Sequence, residues 1–309
     1  LRQFKFKKMK TKNFEVIIVG GSYAGLSAAM ALGRSLRKVL IIDSGQPCNQ
    51  QTPHSHNFIT QDGVPPLEIT EIAKEQVLKY TTIDFVNDFA VRAKKNKKGF
   101  SITTQSGDVV TAEKLIIATG VKDIIPKIDG FAECWGISMI HCPYCHGYEV
   151  QNKKTGIMAN GERAFHLATL VNNLTDNLTI LTTGRVDFTS DQMAKLELHQ
   201  IAIIETEISA IEHQDGHLQK VILSNGEKIA FDAMYTGFPF TQHSDIPVSL
   251  GCELTEHGHI KVNEFQQTTI EGIYACGDNS TMMRSVAGAV ANGNLAGAMV
   301  NAELTKEHF

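Results

Sequence analysis

Phe14-Glu15-Val16-Ile17-Ile18-Val19-Gly20-Gly21-Ser22-Tyr23-Ala24-Gly25 is an apolar run that breaks at once into a turn of small residues. A short, nearly uninterrupted apolar run predicts a parallel strand buried on both faces. Leu26 to Leu36, rich in alanine and leucine, predicts a helix entered directly from that turn. Gly20 permits the tight turn, and Ala24-Gly25 lets helix and strand approach. Ser22 stands where the central glycine of G-x-G-x-x-G usually stands, and it is small enough for a pyrophosphate to lie on the helix N-terminus. A second strand, Lys38 to Ile42, closes on Asp43, 18 residues beyond Gly25, where a ribose hydroxyl takes a carboxylate. Strand, turn, helix, strand and acid in that order predict a dinucleotide-binding βαβ unit in an α/β chain.

The pattern returns from Lys154 to Ala164, with Ala159-x-Gly161-x-x-Ala164 as an eroded fingerprint. Phe165 to Leu174 predicts its helix. Leu178 to Leu181 predicts its second strand, which runs into Thr182-Thr183-Gly184-Arg185 with no acid. That absence disfavours an NADH-type ribose contact and leaves Arg185 as the candidate for a 2′-phosphate, placing NADPH ahead of NADH. Between the two units, Gln46 to Asn57 is a polar loop, and Pro65-Pro66 opens a helix through Tyr80. Short strands follow from Phe85 onward, with Lys94 to Lys98 as a solvated hairpin tip. Lys114 to Gly120 is a buried strand running into Ala118-Thr119-Gly120. Late in the chain, Gly272 to Cys276 predicts a strand ending on Gly277-Asp278. A helix of small residues from Ala287 to Ala298 follows, suited to packing tightly on a cofactor or sheet.

Cys142-Pro143-Tyr144-Cys145-His146 lies between the two units. Two cysteines separated by two residues can close a small disulfide and reopen it, and the adjoining histidine can move the proton. His141 competes with His146 for that role. A zinc reading fails on ligand count: no second C-x-x-C exists, and His54 and His56 have no third ligand at zinc spacing. We therefore read no metal site. Cys48, Cys134, Cys252 and Cys276 read as core or incidental.

Size and charge bound the remainder. A chain of 309 residues fits two domains. With 42% hydrophobic and 20% charged residues it has the composition of an ordinary globular protein. Residues 1–12 hold six basic and no acidic side chains; removing those six from 29 leaves 23 against 33 acidic, a body at −10. So acidic a body argues against nucleic-acid binding. The basic leader lacks an apolar segment and reads as a frayed end, with Met9 as a possible start. No apolar run of membrane-spanning length occurs, and the single close cysteine pair points to a reducing, cytoplasmic setting.

Gly20-Gly21-Ser22-x-Ala24-Gly25, Ala118-Thr119-Gly120, Cys142-x-x-Cys145 and Gly277-Asp278 together resemble the low-molecular-weight thioredoxin reductase family over about residues 14–305. Cys142-Pro-Tyr-Cys-His-Gly-Tyr148, with His54-Ser-His-Asn57, is similar to the branch of gliotoxin- and holomycin-type dithiol oxidases. The resemblance implies two nucleotide-binding three-layer α/β domains and a homodimer. A discontinuous FAD domain at 9–117 and 242–309 would receive an inserted NAD(P)H and disulfide domain at 118–241. It implies FAD contacts at Gly20, Ser22, Ala24, Gly25, Asp43, Asn57, Ala118, Thr119, Gly277, Asp278, Ser285 and Val286. Cys145 would face the flavin and Cys142 the substrate. The second fingerprint, read on its own residues, puts the nicotinamide nucleotide at Gly161 and Arg185. The chain departs from the family at three places: His146 replaces an acid, Ala159-Asn160 replaces glycines, and Thr182-Thr183-Gly184 replaces a basic clasp.

The leading expectation is a thioredoxin-reductase-like flavoenzyme. It would pass electrons from NADPH through FAD and Cys142–Cys145 to the disulfide of a thioredoxin-like protein or small molecule. The alternatives are a flavin-dependent oxidase of small-molecule dithiols using oxygen, a reductase with another donor, and a non-enzymatic flavoprotein redox sensor.

Overall fold

In the computed structural model, which describes residues 13–309, the apolar run at 14–19 forms β1 (Asn13–Val19). The basic leader and Met9 lie outside the described residues. Val16, Ile17 and Ile18 are fully buried, as a strand covered on both faces requires. Helix α1 (Tyr23–Arg34) starts earlier than its apolar periodicity suggests, because Ser22 is already the extended residue capping it. β2 (Val39–Asp43) and α2 (Pro66–Val77) follow, the latter opening on proline, whose missing N–H costs a first turn nothing. Next come β3 (Ile83–Asn87), β4 (Ala90–Asn96), β5 (Gly99–Thr104) and β6 (Val109–Ile117). The buried strand read from Lys114 begins earlier, at Val109, where alternate residues are buried before its end becomes buried throughout. The hairpin tip contracts to Lys97-Lys98, because the β4 lysines remain exposed within an edge strand.

The chain continues through β7 (Val121–Asp123), α3 (Phe131–Cys134), β8 (Met139–Ile140) and α4 (Pro143–His146). The second nucleotide-type unit is β9 (Thr155–Met158), α5 (Gly161–Val171) and β10 (Leu178–Leu181), then α6 (Ser190–Leu198) and β11 (Ala202–Ile204). A three-stranded antiparallel sheet, β12 (Ile208–Gln214), β13 (His217–Leu223) and β14 (Lys228–Ala230), precedes β15 (Ala233–Thr236). The last elements are β16 (Phe240–Gln242), α7 (Ile246–Ser249), β17 (Ile273–Ala275) and α8 (Val286–His308).

Two sheets repeat one plan. In the first, parallel strands run β3-β2-β1-β6, with β17 also beside β6. β6 is long enough to serve two partners on one edge: its start pairs antiparallel with β5 and its end parallel with β17. In the second, all-parallel sheet the order is β11-β10-β9-β15-β8. Both are open α/β sheets with the strand order of nucleotide-binding folds.

The described residues separate into two compact units, one of 13–50, 66–122 and 240–309, the other of 51–65 and 123–239. Most of this differs from the expected boundaries by a few residues. The segment 51–65 differs outright, since it was expected within 9–117. Ser55 pairs with Val64 through a backbone bond of 2.9 Å, closing the segment on itself, and the Gln51 side chain donates to Ala132 O at 3.2 Å. The second of these contacts ties it to the rest of the second unit. Within the first unit α8 lies against α1 so closely that a Cβ on Gly293 would stand 2.1 Å from Ala24 O.

Candidate active site

At the C-terminal ends of β1, β2 and β6, the first unit encloses a cavity of about 440 Å³. Gly20, Ser22, Asp43, Ala118 and Thr119 all line it, so five expected contacts come together there. Gly20 has φ +105°, and a Cβ on it would fall 2.2 Å from Ala118 O; only glycine allows the turn to pass so close to β6. Ala24 and Gly25 lie buried in the first turn of α1. Asp43 Oδ1 accepts from Gly21 N at 2.9 Å and Oδ2 from Gly45 N at 3.2 Å, so the carboxylate holds the turn as well as facing the cavity. Gly277 packs on Ala24, where an added Cβ would meet the Ala24 Cβ at 2.9 Å. Asp278 faces Arg284 Nε at 3.4 Å. Ser285 caps α8 by accepting from Gly288 N at 3.0 Å, and Val286 is the first helical residue.

Sequence reading missed Lys74, Phe85 and Asn279. Lys74 lines the cavity with its ammonium 3.6 Å from the centroid of the Phe85 ring. Burial pulls its pKa down, against the opposing pull of Asp43 and Glu71. No sequence spacing announces it, because it reaches the site from α2. Asn279, next to Asp278, is fully buried and donates to Ile117 O at 2.9 Å. Among the described residues its Oδ1 and the Thr119 Oγ1 have no hydrogen-bond partner. Buried acceptors and hydroxyls of this kind await a ligand or water.

In the second unit, Cys142 caps α4 and its carbonyl accepts from Cys145 N and His146 N, both at 3.2 Å. Proline at 143 starts the helix, so Cys142 stands before it and Cys145-His146 ends it. Residues three apart face the same way on such a turn, which suits a reversible disulfide. Both cysteines are half-buried. Cys134, Cys252 and Cys276 are buried, and burial pushes the Cys276 thiol up to about 12, out of any thiolate role at neutral pH. Cys48 is exposed.

His146 meets His56 edge-on at 6.4 Å between ring centroids. His56 Nε2 lies 3.5 Å from Glu149 Oε1 and Nδ1 lies 3.7 Å from Asp62 Oδ1. Burial, and then His56, hold His146 below its ordinary 6.5, with Glu149 pulling the other way. The competing His141 instead packs on Trp135, 5.9 Å between centroids, in a cluster with Phe131 and Phe238. Asn57 is an exposed loop residue with φ +57°, its N–H donating to Asp62 Oδ1 at 2.8 Å. It belongs to the second unit. Among the described residues no cluster of three or more His, Cys, Asp or Glu side chains is placed to hold a metal, and no helix is long and apolar enough to cross a membrane.

The second glycine turn is built differently from the first. Gly161 opens α5 with φ +57°, but Asn160 Oδ1 accepts its N–H at 2.9 Å and also the Asp187 N–H at 3.0 Å. Asn160 Nδ2 donates to the carbonyl of Arg185 at 2.8 Å. Arg185 is exposed, and Asp187 Oδ2 would lie 3.4 Å from a Cβ on Gly161.

Residues 14–293 match the model of the pyridine nucleotide-disulphide oxidoreductases. The chain belongs to that family. Over 310 residues it is 30% identical to the thioredoxin reductase tcpT of Claviceps purpurea, covering 96% of each chain. Over 304 residues it is 32% identical to the thioredoxin reductase aclD of Aspergillus oryzae, covering 94% of this chain and 96% of the other. An oxidoreductase structure from Agrobacterium tumefaciens superposes with a TM-score of 0.89 at 38% identity, covering 95% of this chain and 99% of that one. The chain is a thioredoxin-reductase-like flavoenzyme, and its family implies FAD and NADPH as cofactors. The first turn fits FAD on three counts: a backbone cradle that a side chain would fill, a facing carboxylate, and buried polar atoms awaiting partners. The second turn keeps the fold of a nicotinamide site, but fills its glycine position with Asn160.

Proposed function

We propose that the enzyme is a dithiol–disulfide oxidoreductase whose Cys142 and Cys145 cycle between disulfide and dithiol, with His146 moving the proton. The observation that carries this reading is the single helical turn of α4, which presents Cys142, Cys145 and a half-buried histidine together. Bound FAD and NADPH would supply two-electron redox chemistry to the disulfide. Gly20, Ser22 and Asp43 would hold the FAD pyrophosphate and ribose, with Ala118, Thr119, Gly277 and Asp278 as further contacts. Cys145 takes the flavin side and Cys142 attacks the substrate, a thioredoxin-like protein or a smaller disulfide. A homodimer and a cytoplasmic setting complete the proposal; the family resemblance supports the first and the single C-x-x-C pair the second.

Burial, and then His56, hold the His146 pKa below its ordinary value, which favours the neutral imidazole. A neutral imidazole accepts the proton of an attacking thiol and returns it to the leaving sulfur. His146→Ala should slow thiol–disulfide exchange roughly 10- to 1,000-fold while leaving flavin reduction nearly unchanged. In the wild type the ionisation governing the dithiol half-reaction should lie below pH 6.5, the reference value of histidine. Its persistence in His146→Ala and loss in His141→Ala would move the role to His141.

A second reading has its own support. Asn160 occupies the turn that a nicotinamide nucleotide's pyrophosphate approaches, and Thr182-Thr183-Gly184 offers no basic clasp. These features favour a donor other than NADPH, or the reverse flow from a small-molecule dithiol to oxygen. Anaerobic stopped-flow mixing separates the two. Rapid bleaching of the flavin by NADPH is the expected result. No bleaching by NADPH or NADH, with bleaching by a small dithiol, establishes the oxidase direction instead.

A further inference from the structure

Tyr235 occupies β15, paired with Ile140 of β8 on one side and Ile157 of β9 on the other. It is fully buried, and among the described residues its hydroxyl has no hydrogen-bond partner. Phenylalanine would fill the same space without leaving a polar atom dry, so packing alone does not account for the hydroxyl. Its direction is informative. A Cβ built on Gly147, the residue closing α4, would lie 3.2 Å from the Tyr235 oxygen and 2.3 Å from Pro143 O. The phenol tip therefore lies under the turn that carries the two cysteines, and its neighbour Ile140 is two residues before Cys142. The ionisable groups acting on the phenol are Cys142, then Glu149, then Cys145; together with burial they raise its pKa, so it keeps its proton.

We propose that Tyr235 is a further residue of the disulfide reaction, its hydroxyl donating a hydrogen bond to the Cys142 thiolate that forms when the disulfide opens. The inference rests on the reading of Cys142 and Cys145 as the redox pair. Two electrons and one proton entering the disulfide break the S–S bond and leave one thiol and one thiolate. Neutral disulfide sulfur is a poor acceptor, whereas a thiolate is a strong one. With both cysteines as protonated thiols the phenol has no hydrogen-bond partner among the described residues; it gains one only when the Cys142 sulfur is ionised, and it then lowers the cost of holding the charge on the sulfur that attacks substrate.

The test is Tyr235→Phe, which keeps the ring and removes an unpaired hydroxyl. The reduced holoenzyme is alkylated with iodoacetamide across a pH series, and the Cys142 adduct is followed by mass spectrometry. His141, Cys145, His146 and Glu149, on or beside the same turn, are unchanged in the variant. The expected result is a midpoint about one unit higher and Cys142 alkylation at neutral pH roughly 10-fold slower, with flavin reduction unchanged. An identical pH profile, with equal or raised thermal stability, overturns the inference and leaves the hydroxyl merely tolerated. Peptide mapping of the air-oxidised wild type distinguishes the underlying reading: absence of a Cys142–Cys145 disulfide would overturn that reading and this inference together.

Discussion

Cys145→Ser is expected to retain FAD and lose turnover by roughly 1,000-fold or more, because a single thiol cannot close or open the internal disulfide. Cys142→Ser should be equally inactive in turnover, yet the two variants should differ in spectrum. With Cys142 removed, Cys145 remains to form a thiolate–flavin charge-transfer band near neutral pH; with Cys145 removed, the band should vanish. The asymmetry follows from the proposed roles, one sulfur toward the flavin and one toward the substrate. It also has a local basis in α4, where Cys142 stands ahead of the helix as its cap and Cys145 lies within it. Equal spectra, or a band that survives only with Cys142 present, would reverse the assignment.

Gly20→Ala is expected to yield protein largely without flavin. The added methyl would lie 2.2 Å from Ala118 O and 2.6 Å from its carbon, both backbone atoms that cannot rotate away. The residue would also have to hold φ +105°, where an L side chain is strained by about 1–3 kcal/mol. Relief requires the turn to move off β6, into the cavity that the cofactor would fill. A loss of about 3 kcal/mol in binding corresponds to roughly 100-fold weaker affinity. The ratio of flavin to protein absorbance after purification, with a fluorescence titration of FAD, reads the effect. Circular dichroism of the variant checks that β1 and α1 still form. A fully loaded protein of wild-type affinity would show that the turn tolerates the side chain and that the close approach to Ala118 is not binding.

Local sequence pattern carried the chain a long way. The strand, turn, helix and acid of residues 14–43 are strong near-neighbour signals. Apolar runs report burial, and a glycine between strand and helix reports a backbone conformation other residues avoid. The C-x-x-C pair was equally legible, since disulfide chemistry at that spacing depends on one turn of chain. Boundaries set by tertiary contact were less so. Residues 51–65 carry proline and polar side chains without periodicity, and only their contacts with the second unit decide where they belong. Of the single long β6 only the end from Lys114 was likewise legible as a buried strand, because its half-exposed start breaks the apolar run where β5 gives way to β17.

By itself, the sequence determined that this is an α/β chain with two nucleotide-type units and a redox-capable cysteine pair between them, because each of those features is written within a few dozen consecutive residues. Only the tertiary structure decided which distant side chains serve them. Lys74 reaches the first cavity from α2. His56 reaches His146 across some 90 residues of chain and lowers its pKa, and Tyr235 of β15 brings its hydroxyl beside Gly147 at the close of α4. Such groups have no fixed sequence offset from the site they serve. Their proximity is a product of strand order and burial, and a lysine, histidine or tyrosine alone in sequence carries no mark of the electrostatic environment that gives it a role.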